Sequence, residues 1–295
     1  MRIIVIGSTG QLGTDLVRVL KNDHEVVGLT HEDIEVVERD SCQILREYSP
    51  DVVINTAAFH NVDQCEEEPL KAFSVNAIGA KNIAEVCREI QATTIFISTD
   101  YVFDGSKTEP YTEEDIPNPI NTYGISKLAG ELFTIQNPRH YIIRVASLFG
   151  TAGARGKGGN FIDKIITKAR NNEHISVVDD IWMSPTYTVD AAKVINIIIK
   201  SRMPFGIYHV TNTGCCTWFQ FAQEIFRQMG LKPHLTPIKA QQLQMKARRP
   251  IYSVLTSIKL PKYDVKIRDW RQALNDYLIE KGYLSASSQS PEKSP

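Results

Sequence analysis

The stretch "GSTGQLG" at residues 7–13 opens where the apolar run "RIIVIG" (2–7) ends, and an amphipathic segment follows it. Glycines at positions 7, 10 and 13 let the backbone of such a turn approach a pyrophosphate closely. The amino terminus of the next helix offers that anion N–H groups and the positive end of a dipole. A purely structural turn between a strand and a helix needs one glycine rather than three. In this context the pattern predicts a dinucleotide-binding turn.

Outward from this turn, the first half of the chain alternates apolar runs with amphipathic stretches. The apolar runs are rich in Val and Ile and nearly continuous, which is typical of parallel strands buried on both faces of a sheet. They cover residues 2–7, 25–30, 51–58, 93–100 and 141–149. Helical periodicity lies between them, including one long segment at 65–90, where Asp63 and Glu66–Glu68 are expected to cap and solvate the amino end. This alternation predicts an α/β fold with a Rossmann-type doubly wound parallel sheet.

The rhythm loosens after residue 150, where the glycine-rich stretch "GTAGARGKGGN" (150–160) indicates a loop. Helices are predicted at 160–171, 189–201, 217–230 and 267–282, and strands at 176–180 and 206–211. We expect residues 1–150 to form a dinucleotide-binding domain, on which 186–202 packs back. Residues 151–185 and 203–283 are expected to form a smaller substrate-binding region, and 284–295 a disordered tail.

Composition restricts the class of protein. The 295 residues carry a formal net charge of -1 and contain no block of Lys or Arg, which argues against nucleic acid or an anionic membrane surface as a partner. No apolar run approaches the length of a membrane span, and the amino terminus lacks the features of a signal peptide. The five cysteines are odd in number and show no metal-ligand spacing with His. We therefore expect a cytoplasmic protein with reduced thiols and no metal site.

A second pattern, "NTYGISKLAG" (121–130), places Tyr123 and Lys127 four residues apart at the start of a predicted helix. Residues at this spacing share one helix face. Taken alone, the pair is more typical of an ordinary surface helix.

Together with the glycine turn, the Tyr-x-x-x-Lys pair resembles the extended short-chain dehydrogenase/reductase superfamily. Within it, the chain is similar to the dTDP-4-dehydrorhamnose reductase family from residue 1 to about 280, and "STDYVFDG" (98–105) is the most specific segment. The resemblance implies NAD(P)H-dependent reduction of the 4-keto group of a nucleotide-activated 6-deoxy sugar, dTDP-4-dehydro-L-rhamnose being reduced to dTDP-L-rhamnose. The segments that carry it are "GSTGQLG", "NTAAFHNVDQCEEEP", "VNAIGAKNIA", "ISTDYVFDG", "NTYGISKLAGE" and "RRPIYSVL".

The resemblance also implies roles for individual residues. Tyr123 would give its proton to the substrate carbonyl oxygen, although a free tyrosine has a pKa of about 10. The Lys127 ammonium would stabilise the phenolate, lower that pKa and hydrogen-bond the nicotinamide ribose. Thr99 would help to hold the substrate oxygen, and Asp100 would contact the sugar. Ser147 also lies at the sugar pocket, where some members have Trp, and this departure leaves the exact sugar open.

The remaining sites implied by the resemblance concern the cofactor. An acidic residue at the end of the second strand would accept the ribose 2′-OH of NAD, but "GLTHED" places Thr30 and His31 there first. No Arg is obviously placed for a 2′-phosphate either. We expect NADPH, with NADH possible. The residues expected to bind the cofactor are Gly7, Gly10, Gln11, Leu12, Gly13, Thr30, Ala57, Ala58, Phe59, Tyr123 and Lys127.

Two other functions share these motifs. One is a non-catalytic NADP-binding regulatory subunit like that of methionine adenosyltransferase, and the other is a nucleotide-sugar epimerase or dehydratase. We expect a monomer or a homodimer with a nucleotide sugar as ligand. Residues 151–160 are either a solvated connector or a lid that brings Arg155 or Lys157 to the substrate diphosphate.

Overall fold

The computed structural model describes residues 1–153 and 159–285. Within them, six parallel strands form the central sheet in the spatial order β10-β5-β4-β3-β1-β2. The strands are β1 (Arg2–Ile6), β2 (Glu25–Leu29), β3 (Val52–Asn55), β4 (Thr93–Thr99), β5 (His140–Val145), β6 (Leu148–Phe149), β7 (Ile175–Val178), β8 (Trp182–Met183), β9 (Thr186–Tyr187), β10 (Gly206–His209), β11 (Cys216–Thr217) and β12 (Leu235–Ile238). The helices are α1 (Gln11–Leu20), α2 (Ile44–Tyr48), α3 (Val62–Glu67), α4 (Pro69–Phe73), α5 (Gly79–Glu89), α6 (Thr122–Thr134), α7 (Phe161–Arg170), α8 (Thr188–Lys200), α9 (Trp218–Met229) and α10 (Trp270–Glu280).

The predicted α/β fold class, a doubly wound parallel sheet, is confirmed. Strand β1 lies between β2 and β3, so the order of the strands reverses beside it. The register pairs Ile6 with Leu29 on one side and with Asn55 on the other, which brings the carboxyl ends of three strands together. In open α/β sheets, ligands bind in the crevice outside such a reversal point.

The prediction of one continuous helix over residues 65–90 is wrong. The chain forms α3, α4, a π-helical turn at Ser74–Ile78, and α5. The first break follows from Pro69, which has no N–H group and is accommodated at the first turn of a new helix. Glu68 before it leaves the helical region, with φ -124° and ψ 60°. The π turn brings Asn76 towards α6, as described below.

Three large apolar clusters, and a smaller one around Phe103 and Tyr111, lie within the described part of the chain. One lies between the sheet and helices α1 and α8, and includes Ile3, Leu16 and Ile195. A second lies on the opposite face, against α5, and includes Ile4 and Ile83. The third is a separate core of α7, α9 and α10, whose apolar residues cannot reach the sheet and pack on one another instead. This third core forms the body of the C-terminal region.

The sequence-based domain boundaries need one correction. Strand β10 pairs in parallel with β5 and completes the central sheet, although residues 203–283 were assigned to the substrate-binding region. Helix α8 packs against α1 on the same domain. Of the expected tail, Leu284 packs against the C-terminal core, and residues 286–295 lie outside the described part of the chain. Among the described residues, no helix combines the length and apolarity needed to cross a membrane.

Candidate active site

A cavity of about 1440 Å³ opens at the carboxyl ends of the central strands. Its walls come from the glycine turn, the segments after β2, β3, β4 and β5, the start of α6, and helices α7 and α9. The structure brings together on its walls all the predicted site residues except Phe59. Instead, the N–H of Phe59 donates to Asn76 Oδ1 (2.8 Å) and its carbonyl accepts from Asn76 Nδ2 (3.0 Å), so Asn76 of the π turn holds this segment in place.

The glycine turn fits a pyrophosphate because side chains are excluded from it. Gly7 has φ 77°, and a Cβ there would lie 2.6 Å from Thr56 Oγ1. A Cβ on Gly13 would lie 2.1 Å from the carbonyl oxygen of Gly7. Gly10 is the N-cap of α1 and supplies no side-chain cap, so the first-turn N–H groups face the cavity unblocked by a side chain. Gln11 Oε1 is buried beside them without a partner among the described residues. These features suit a dinucleotide phosphate.

The residues that follow β2 are those expected to contact the adenosine ribose of a bound dinucleotide. The carboxylate of Asp33 accepts hydrogen bonds from the N–H and the hydroxyl of Thr30, both at 2.8 Å, and these bonds lower its pKa. Asp33 is therefore used to close the turn and does not line the cavity. Thr30, His31 and Glu32 line it instead.

Helix α6 begins beside the end of β4, which sets the position of Tyr123. The N-cap Asn121 accepts a hydrogen bond from the N–H of Gly124 at 2.8 Å. Gly124 lets the helix approach closely, because a Cβ there would lie 2.1 Å from the carbonyl oxygen of Tyr101. The Tyr101 and Tyr123 rings meet edge to face, with centroids 5.9 Å apart.

Glu66 also holds this helix start, which corrects its expected role. Its carboxylate accepts from the N–H and the hydroxyl of Thr122, both at 2.8 Å, and thus caps α6. The amino end of α3 is capped by Asn61 instead, whose side chain accepts from the N–H of Gln64.

The expected lowering of the Tyr123 pKa by Lys127 is not found in this structure. Burial raises the pKa of Tyr123 above its usual value, and a hydrogen bond with the Thr99 side chain opposes that rise. Lys127 is buried, its Nζ donates to the carbonyl oxygen of Ile97 at 2.7 Å, and it lies 3.9 Å from the centroid of the Phe96 ring. Burial lowers the pKa of Lys127 to about 7, against the opposing charge of Glu131. Tyr123 is therefore fully protonated at neutral pH, as a proton donor must be.

Asp100 lies next to this group. Its Oδ1 accepts a hydrogen bond from Thr99 Oγ1 at 3.0 Å, and Thr99 Oγ1 also accepts from the N–H of Tyr101 at 3.2 Å. Burial raises the pKa of Asp100 to about 6, although hydrogen bonds with Ser253 and Thr99 oppose the rise. A buried carboxyl that titrates near neutrality suits hydrogen bonding to sugar hydroxyls.

Ser253 belongs to a segment from the far end of the chain, residues 246–256, which we call the strap. Arg249 donates through two nitrogens to the two carboxylate oxygens of Asp63, at 3.0 and 2.9 Å. Asn121 Nδ2 donates to the carbonyl oxygen of Arg248 at 2.8 Å. The strap thus fixes α3 and the start of α6 to each other. These contacts are not predictable from the sequence pattern, and only the family resemblance pointed to the segment "RRPIYSVL".

One wall of the cavity is aromatic, and the sequence analysis did not predict it. Phe161 and Trp218 meet edge to face with centroids 4.9 Å apart, and Phe221 lines the same wall. Ser147 also lines the cavity, with φ 42°. Arg155 and Lys157, the expected lid residues, lie outside the described residues.

Comparisons with known proteins agree with this geometry. The family profile described as "RmlD substrate binding domain" matches residues 1–282. A spore coat polysaccharide biosynthesis protein, SpsK, of Bacillus subtilis is 38% identical over 95% of this chain and 98% of its own. A dTDP-4-dehydrorhamnose reductase of Aggregatibacter actinomycetemcomitans is 33% identical over 93% and 97%. The crystal structure of dTDP-4-dehydrorhamnose reductase from Bacillus anthracis in complex with NADP matches with a TM-score of 0.90 and 35% identity, over 95% of this chain and 99% of that one.

The resemblance read from the motifs is thus confirmed over almost the whole length of the described chain. The chain belongs to the dTDP-4-dehydrorhamnose reductase family of oxidoreductases.

Proposed function

We propose that the protein uses NADPH to reduce the 4-keto group of a dTDP-linked 6-deoxy sugar, with dTDP-4-dehydro-L-rhamnose as the substrate. The observation that carries this proposal is one continuous cavity with a glycine turn at one end and Thr99, Tyr123 and Lys127 together beyond it. NADPH as the cofactor is supported by the relative from Bacillus anthracis. NADPH would be held by the glycine turn, Thr30 and the 57–58 segment, and when bound it supplies the hydride.

In this proposal the chain's own groups handle the proton. Tyr123 starts as the neutral phenol, and its proton goes to the carbonyl oxygen as carbon accepts the hydride. Because burial makes the phenolate costly, the Thr99 hydroxyl and the Lys127 ammonium are needed at the moment when the negative charge forms. Thr99 also donates to Asp100, so the residue that would hold the carbonyl oxygen is hydrogen-bonded to the residue that would contact the sugar.

The presence of Thr99, Tyr123 and Lys127 together on the cavity wall argues against a silent binding subunit, because binding a nucleotide does not require this set. An epimerase or dehydratase would return its hydride to the product and consume no NADPH.

The test is NADPH oxidation by the purified protein with dTDP-4-keto-6-deoxy-L-mannose, with the gluco epimer as the control. We expect oxidation stoichiometric with formation of dTDP-L-rhamnose. Turnover of only the gluco epimer would reassign the sugar. Binding of NADPH without turnover of either compound, or conversion without net oxidation, would overturn the proposal.

A further inference from the structure

A second buried charge lies one helical turn beyond Lys127. The carboxylate of Glu131 accepts from Ser98 Oγ (2.5 Å), from Arg144 Nε (2.9 Å) and from Arg144 Nη2 (2.7 Å). The Glu131 and Arg144 side chains are each only 2% exposed. Neither lines the cavity, and the proposed reduction assigns them no task.

Stability alone is a poor reason for this pair. A buried ion pair of this kind can often be replaced by apolar residues of similar volume at no cost, because both charges lose their hydration. Here Arg144 Nη1 is also buried without a hydrogen-bond partner among the described residues. The pair therefore calls for another explanation.

Its position relative to Lys127 provides one. Tyr123, Lys127 and Glu131 are spaced four residues apart and share one face of α6. Burial disfavours the ammonium form of Lys127, and the negative charge of Glu131 favours it. The other charged or ionisable groups on α6 and on the elements packed against it include Tyr123 on α6, Asp100 and Tyr101 after β4, Arg144 on β5, Cys65 on α3 and Lys71 on α4.

We propose that Glu131, held by Arg144 and Ser98, is a positioning residue that keeps Lys127, whose Nζ is fixed on the carbonyl oxygen of Ile97, in its charged form. Arg144, on β5, holds the Glu131 carboxylate in a fixed position relative to α6. This inference rests on the proposed reductase activity only for its kinetic test, since Lys127 is also expected to bind the cofactor ribose.

The decisive variant is Glu131→Gln, which keeps the shape and an acceptor for Ser98 but removes the negative charge. The unpaired Arg144 then adds to the positive field at Lys127. We expect the alkaline limb of the pH profile of kcat/KM to move down by one pH unit or more, with about a tenfold loss at neutral pH that is recovered at lower pH. The pH dependence of NADPH binding should shift in the same direction.

A second variant, Glu131→Leu with Arg144→Met, removes both charges and should fold even if the single variant does not. It should also move the alkaline limb down, but by less than Glu131→Gln, because no unpaired Arg144 remains.

The matched control is Asp190→Asn, which breaks another ion pair, between the buried Asp190 and the partly exposed Arg268. Asp190 on α8 accepts from Arg268 Nε at 2.8 Å and does not line the cavity. It should lower Tm and leave the pH profile unchanged. Superimposable profiles for the wild type and both Glu131 variants, or an equal shift in Asp190→Asn, would overturn the proposal. If the wild type reduces neither sugar, the proposed function fails, and the NADPH-binding measurement still decides the role of Glu131.

Discussion

At the scale of single residues, the hydroxyl of Tyr123 carries the proposed proton transfer. Tyr123→Phe keeps the ring against Tyr101 and removes the acidic proton. We expect kcat to fall by about 10²-fold or more, the scale of a lost general acid, while the Kd for NADPH stays within about twofold. Steady-state kinetics and a binding titration measure the two effects separately.

The control for this variant is Tyr208→Phe. That buried hydroxyl donates to the carbonyl of Pro204 at 2.6 Å and lies away from the cavity. Its loss should cost stability and leave kcat unchanged. A Tyr123→Phe enzyme with near-normal turnover would remove Tyr123 as the proton donor.

Asp100 should make folding depend on pH. Its carboxyl pKa is raised from 3.8 to about 6 by burial, so the folded state holds the proton more tightly than the unfolded state does. The sign follows for this one group: Asp100 costs no stability below about pH 4, its cost grows as pH rises, and the cost is complete above about pH 6. A shift of this size corresponds to at most about 3 kcal/mol.

Asp100→Asn should therefore unfold at the same denaturant concentration as the wild type at pH 4 and at a higher one at pH 7. Its KM for the sugar nucleotide should rise, because the carboxylate acceptor is gone. Denaturant titrations at both pH values test this. A variant that is less stable than the wild type at pH 7 would contradict the assigned cost of the buried charge.

At the scale of elements, the contact between α6 and the end of β4 sets the geometry of the site. In Gly124→Ala, the new methyl group would lie 2.1 Å from the carbonyl oxygen of Tyr101, so the helix must shift. Such overpacking typically costs about 1–3 kcal/mol. A shift of about 1 Å between Tyr123 and Thr99 can lower kcat by about 100-fold.

Ile125→Ala is the neighbouring control, because that side chain is 44% exposed on the same helix. It should change neither Tm nor kcat appreciably. If Gly124→Ala behaves like Ile125→Ala in thermal denaturation and kinetics, the close approach does not position Tyr123.

The elements also show where the sequence was sufficient. The strands and the first helix were predictable because continuous Val/Ile runs and a three-glycine turn each permit few structures. The interruption of 65–90 was only partly readable: Pro69 signals a break, but the π turn around Asn76 leaves no local pattern. Asn76 takes its position from distant partners, the backbone of Phe59 and the hydroxyl of Ser126 (2.9 Å).

The strap illustrates the same limit across the whole chain. Arg249 and Asp63 are 186 residues apart, and either would serve equally well as a surface charge by local criteria. By local criteria Phe161 and Trp218 likewise belong to ordinary amphipathic helices. Only the folded structure places both on the cavity wall. The candidate catalytic residues Tyr123 and Lys127 were predictable because their spacing is local, whereas the residues that support them come from tertiary structure.

At the scale of the whole molecule, NADPH should stabilise the fold. A ligand at 100 times its Kd adds about 2.7 kcal/mol when it binds the folded state alone. We expect Tm to rise accordingly in the wild type and to stay unchanged on NADPH addition in Gly13→Ala, whose new Cβ would meet the carbonyl of Gly7 at 2.1 Å.

Gly230→Ala provides the comparison for this glycine. It has a left-handed φ, 65°, but a Cβ there meets nothing within 4 Å and the residue lies away from the cavity. It should lower Tm and keep the full NADPH increment. An equal increment in Gly13→Ala would show that the turn does not hold the cofactor.

Strand β10 is synthesised after the other five strands of the central sheet, and this order has a consequence for folding during translation. Translation proceeds from the amino terminus, so five strands of the sheet emerge long before residues 206–209 are made. During that interval β5 presents a bare row of N–H and C=O groups, and α1 lacks the apolar cover of α8. An uncovered edge of this kind invites pairing with other chains. A nascent chain stalled near residue 200 is thus the form most in need of a chaperone.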